Sequence, residues 1–158
     1  MRLYTTDRGL AREEPDGSLA VLDLPHEDVG SLLRDGSIDD AVEAGALERV
    51  ALGEVTLRAP VLAPGRFVIV GLNYRSHVDE FAEGIGIEPN YDVGTPFVFE
   101  VAGDSVCGPA DTIVRPVDAP DQVDYEGEVA VVIGRRADHI DAADAWAHVA
   151  GLSVVNDV

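Results

Sequence analysis

Short apolar runs bounded by turn residues and carboxylates dominate the pattern of this chain and predict strands rather than long helices. Val129-Ala130-Val131-Val132-Ile133 follows directly on Asp124-Tyr125-Glu126-Gly127-Glu128, and Gly151-Leu152-Ser153-Val154-Val155 runs into Asn156-Asp157-Val158. A third run, Phe67-Val68-Ile69-Val70, ends in a Gly71-Leu72-Asn73 turn and opens a short helix. Nearer the start, strands are expected at about 2–5 and 19–22, joined as a hairpin across Pro15-Asp16-Gly17. Helical spacing is expected over 28–34, 38–46 and 141–148, the last with Trp146 on its inner face. Ala59-Pro60 through Pro64-Gly65 is the clearest punctuation, and divides a small lobe, 1–60, from a larger portion, 61–158.

Strand geometry gives the first chemistry. Side chains alternate faces along a strand, so Glu126 and Glu128 project from one face. Two neighbouring carboxylates repel each other unless solvent or a cation neutralises them, and a hard divalent ion takes such an all-oxygen environment. A solvent-facing strand edge that carries two Glu accounts for the same pattern. On the predicted helix, His77 and Glu80 are three residues apart and therefore neighbours. A carboxylate beside an imidazole fixes its orientation and raises its basicity, as a general base requires.

Five blocks together resemble the fumarylacetoacetate hydrolase family: G-L-N-Y-R-S-H-V-D-E at 71–80, P-F-V-F at 96–99, C-G-P-A-D-T-I-V-R-P at 107–116, D-Q-V-D-Y-E-G-E-V-A-V-V-I-G-R at 121–135 and N-D-V at 156–158. The resemblance runs from about residue 57 to 158. It implies an α+β, β-rich fold: a mixed β-roll with short flanking helices, incomplete at the C-terminus and usually a homodimer. It further implies that Glu126, Glu128 and Asp157 bind Mg²⁺ or Mn²⁺, and that His77 and Glu80 activate water or shuttle a proton. Tyr74 and Arg75, beside that pair, are candidates for substrate contact. The implied function is hydrolysis of C–C bonds in 2-oxo acids of the acylpyruvate or fumarylpyruvate type, as in aromatic catabolism. The alternatives are isomerisation or decarboxylation on the same site, and a non-catalytic pairing subunit.

Two departures bear on this. Glu100 stands where many members carry Lys. The family's S-x-R-D, Lys-containing and Gly/Thr-rich substrate-binding segments are absent after Val158, so the expected partners are a small 2-oxo acid, a second copy and a completing C-terminal segment.

Composition sets outer limits. The net charge of −19 disfavours nucleic acid and anionic membranes as partners, and all 11 basic residues are Arg. No stretch approaches the roughly 18 consecutive apolar residues of a membrane span. The first residues lack the apolar run of a signal peptide, so a cytoplasmic location is expected. The single cysteine, Cys107, excludes an internal disulfide and is expected to be a small buried residue. His139 and His148 are expected at the surface, His26 in an acidic loop, and Asp124 outside any ligand set. The Gly-, Pro- and Asn-rich stretch 83–96 is either a loop that closes over substrate or a surface connector.

Overall fold

The structure, a computed structural model, describes residues 1–92 and 94–158. It is sheet-rich with short helices, and two compact units are present: Met1–Leu62 with Cys107–Val158, and Ala63–Val106. The first unit thus joins the N-terminal segment to Cys107–Val158, with Ala63–Val106 lying between them in sequence.

In the first unit, β1 (Leu3–Thr6), β2 (Gly9–Glu13), β3 (Leu19–Leu22) and β4 (Ala46–Val50) form an antiparallel sheet in that order. The turn at 14–18 was correctly expected, but it joins β3 to β2 rather than to β1. Gly9-Leu10-Ala11-Arg12-Glu13 lacks a clean polar alternation because both of its faces are covered. Leu10, Ala20 and Leu22 pack with Val29, Leu32 and Ala41 on one side, while Ala11, Leu19, Val21 and Val50 cluster on the other.

Two capped helices cover the first of those faces. α1 (Val29–Asp35) starts at the buried Asp28, whose Oδ1 accepts from the Ser31 N–H at 2.8 Å. Its Oδ2 accepts from the Leu62 N–H at 2.7 Å, tying the helix start to the end of the lobe. Burial alone would raise the Asp28 carboxyl; the hydrogen bonds from Leu62 and Ser31 outweigh it and hold the pKa below the usual range. α2 (Ile38–Glu43) carries a Ser37 cap closed by Asp40. The Arg12 guanidinium donates to the carbonyls of Ala41 at 2.7 Å and Val42 at 2.9 Å, placing a cation at the helix's negative end. The helix expected over 38–46 therefore stops early. Ala46-Leu47-Glu48-Arg49-Val50 pairs with β3 instead, because tertiary pairing overrides the helix propensity of Leu, Glu and Arg.

The unit is completed by a ribbon of β7 (Glu126–Ile133) and β8 (Val149–Asp157). Between them, 142–148 forms a 3₁₀ segment rather than an α-helix, and Trp146 is 72% exposed instead of facing inward. Cys107 is also exposed, contrary to expectation. His139 is exposed in a left-handed conformation (φ 50°), whereas His148 is half-buried, with Nδ1 sealed and lacking a hydrogen-bond partner among the described residues.

In the second unit, β5 (Phe67–Gly71) leads through a turn into α3 (Arg75–Ile85), and β6 (Phe97–Val101) returns antiparallel to β5. Gly71 sits under the Phe97 ring, where a Cβ would lie 2.8 Å from Cδ1, so a larger residue would force the ring to shift. Leu72 adopts φ 54°, which costs a non-glycine residue about 1–2 kcal/mol, immediately before α3. Gly86, at φ 72°, ends the helix as a left-handed cap. The stretch expected as a loop at 83–96 is thus helical to Ile85; within it, Val93 lies outside the described residues.

Candidate active site

Both carboxylate-bearing runs form strands, and their register aligns the acids. Glu126 stands opposite Asp157, and Glu128 stands opposite Val155. Directly opposed residues of an antiparallel pair share a face, so Glu126, Glu128 and Asp157 project from the same side, with Ala130 and Val132 continuing it. Asn156 contributes to the alignment: its Oδ1 accepts from the Glu126 N–H at 2.9 Å. Among the described residues, no group of three or more His, Cys, Asp or Glu side chains is gathered closely enough to hold a metal ion. The register nonetheless suits the ion. Opposed Cβ atoms in such a ladder lie about 4.5–5.5 Å apart, within reach of a shared cation after side-chain rotation. The donors are three oxygen ligands of the kind Mg²⁺ takes.

The other group sits in the Ala63–Val106 unit. Tyr74 precedes the first turn of α3, Arg75 opens the helix, and His77 and Glu80 follow on one side. The His77 Nδ1 to Glu80 Oε2 distance is 3.8 Å, an ion-pair approach rather than a hydrogen bond. Both side chains are solvent-accessible.

Two contacts in this unit were not expected from the sequence. Tyr91 donates from its hydroxyl to Asp79, and the Arg75 guanidinium lies 5.1 Å from the centre of the Tyr91 ring. Donation to Asp79, with some burial, raises the Tyr91 pKa above its ordinary value. The residues after α3 are thereby tied back to the helix that bears the His–Glu pair. The only sequence signal was an aromatic residue in an otherwise polar stretch. Glu100, on β6, is held by Arg66 at 3.0 Å, and that hydrogen bond lowers the carboxyl's pKa. The reversed charge at this position is thus locally neutralised.

The sequence pattern described as "Fumarylacetoacetate (FAA) hydrolase C-terminal" matches residues 66–158, more than half of the chain. The chain belongs to the fumarylacetoacetate hydrolase family. Among relatives in this family, the mitochondrial oxaloacetate tautomerase FAHD2A of Homo sapiens is 41% identical over 115 residues, 73% of this chain and 34% of the relative. The solved fumarylacetoacetate hydrolase of Exiguobacterium antarcticum superposes with a TM-score of 0.72 at 29% identity, covering 98% of this chain and 54% of that one. A 5-carboxymethyl-2-hydroxymuconate delta-isomerase of Mycobacterium smegmatis gives 0.65 at 28% identity, with 99% and 54% covered. The chain therefore spans about a third of the length of the curated family members it matches, and about half of the solved ones. Among the described residues, no helix is long and apolar enough to cross a membrane.

Proposed function

We propose that this chain carries the metal-binding and proton-transferring residues of a Mg²⁺- or Mn²⁺-dependent enzyme acting on 2-oxo acids, with hydrolysis of a C–C bond in an acylpyruvate- or fumarylpyruvate-type substrate as the leading reaction. The observation that carries this reading is the register of β7 and β8, which places Glu126, Glu128 and Asp157 on one face. These three carboxylates would hold the ion. When bound, it supplies a Lewis acid to the carboxylate and adjacent carbonyl of the substrate.

The chain's own residues do the rest. Glu80, 3.8 Å from His77 on the same side of the helix, would orient the imidazole. His77 takes a proton from the attacking water and returns it to the carbon released when the bond breaks. Arg75 and Tyr74 flank that helix start, where a cation and a phenol suit a substrate carboxylate. The finer fold we infer is the mixed β-roll that the family implies. The net charge of −19 supports a small-molecule substrate over a nucleic-acid or anionic-membrane partner.

A second reading, keto–enol tautomerisation or double-bond isomerisation, is favoured by the oxaloacetate tautomerase and muconate isomerase among the relatives. It uses the same residues but moves a proton between carbon and oxygen and leaves the carbon skeleton intact.

Calorimetric titration with Mg²⁺ tests the site directly. The parent chain should bind the ion, and Glu126→Gln should weaken binding at least ten-fold. Turnover of acetylpyruvate and of oxaloacetate, followed by ultraviolet absorbance and product mass, separates cleavage from tautomerisation. Equal Mg²⁺ affinity in the parent and in Glu126→Gln would sink the metal reading.

A further inference from the structure

The helix that carries the His–Glu pair has little of its own to hold it. α3 is 11 residues long, contains Gly84 and buries only Val78 and Ala82. Isolated helices shorter than about 12–15 residues are marginal in water, and an interior glycine weakens a helix further. The start of α3 is its weakest part. The chain enters through Leu72 at φ 54°, Tyr74 supplies no side-chain cap hydrogen bond, and no acid stands in the first turn. Arg75 instead places a cation at the positive end of the helix, where the dipole opposes it. His77 lies in that first turn.

A brace comes from further along the chain. After the left-handed cap at Gly86, the Ile87 N–H donates back to the Ala82 carbonyl at 2.9 Å, and the following residues return towards the helix start. There Tyr91 donates from its hydroxyl to Asp79, and the Arg75 guanidinium lies over its ring. Arg75 and Asp79 are one turn apart on one side of α3, and a cation N-terminal to an acid is the weaker order for a direct helix ion pair. One tyrosine engages both. His77 falls between them in sequence, and the bond from the Val78 N–H to the Tyr74 carbonyl, at 3.1 Å, closes the turn that contains it. Residues two apart do not share a side of a helix, so the imidazole projects away from this brace.

We propose that Tyr91 is a positioning residue for the proton-transferring pair: by clamping Arg75 and Asp79 it keeps the first turns of α3 helical, and so holds the His77 imidazole within ion-pair reach of Glu80. It acts through the helix rather than on the substrate. The 3.8 Å approach of Nδ1 to Oε2 depends on residues 77 and 80 standing as helical neighbours, which fraying of the first turn would end. Tyrosine suits the task, because two side-chain torsions fix the ring and the hydroxyl together. The proposal rests on the reading of His77 and Glu80 as a working pair and is independent of the metal site.

The test is NMR on the full chain, whose four histidines give few ring signals. His77→Ala identifies the signal of His77. At pH 7, Glu80→Gln should move that signal in the parent. In a Tyr91→Ala background the same substitution should move it less than half as far, and amide exchange at 78–80 should be at least ten-fold faster, with exchange in the N-terminal sheet unchanged. Tyr91→Phe keeps a ring for Arg75 and should recover part of both effects. A tether that only holds 87–91 in place would leave the response to Glu80→Gln untouched, so an equal response in the parent and in Tyr91→Ala overturns the proposal. If Glu80→Gln moves nothing in the parent, the reading of the pair fails and the positioning role with it, while the exchange rates still report whether Tyr91 braces the helix. Should Tyr91→Ala not fold, Tyr91→Phe decides: exchange at 78–80 and a response to Glu80→Gln both equal to the parent's overturn the proposal.

Discussion

The N-terminal sheet and the β7–β8 ribbon belong to the same compact unit and treat their apolar residues in opposite ways. In the sheet, β3 is buried along its whole length, and the helices α1 and α2 close one face. In the ribbon, Val129, Val131, Ile133, Leu152 and Val154 alternate with more covered neighbours and are left in contact with solvent. The sheet is the least family-specific part of the sequence and has the most complete core. The ribbon bears the acids proposed to hold the metal ion and has the less complete one. The buried core and the proposed site thus lie on different stretches of the chain.

The sharpest way to break this contrast is a cavity in the sheet core. Leu32 is fully buried under the sheet, and Leu32→Ala should cost about 2–5 kcal/mol, read from the urea midpoint. Asp28→Ala should cost about 1–2 kcal/mol through the lost helix cap, with the Leu62 N–H losing its partner as well. This second effect has a pH signature. The folded Asp28 pKa is depressed, so its contribution is fully present above the unfolded value of about 3.9 and disappears as pH falls through the lower folded value. The difference between parent and variant should therefore hold from pH 7 to 5 and shrink below 4. Tyr91→Phe should leave global stability nearly unchanged and give a few-fold faster amide exchange at 87–91, because only the tie to Asp79 is lost. Leu152→Ser, on the open ribbon face, should change stability by no more than about 0.5 kcal/mol. A loss comparable to that of Leu32→Ala would show that the ribbon face is covered in the isolated chain.

The strands bearing Glu126, Glu128 and Asp157 were legible because apolar runs ended by acids and turn residues leave little choice of element. Their pairing partner was not, since register depends on long-range contacts that no local pattern encodes. The same limit explains β2 and β4. Gly9–Glu13 is flanked on both faces, which erases alternation, and Ala46–Val50 has helix-forming residues recruited by β3. Trp146 and Cys107 were expected inside on residue type alone, and both are exposed. The His77–Glu80 spacing correctly predicted neighbours on a helix, but spacing could not supply the 3.8 Å separation or the Tyr91 strap beside it.

The Glu126–Asp157 pairing has a consequence for error tolerance. Faces alternate along each strand, so a slip of β8 by one residue would set Asn156 opposite Glu126 and turn Asp157 to the apolar side. A slip by two would keep all three acids on one side but pull the opposed pair apart by about 7 Å. The ladder thus works as a parity check on the acids, with two distinct failure signatures. The pairing runs unbroken from Glu126–Asp157 to Val132–Gly151, and shifts only between Val132 and Ile133 at the far end of the ribbon.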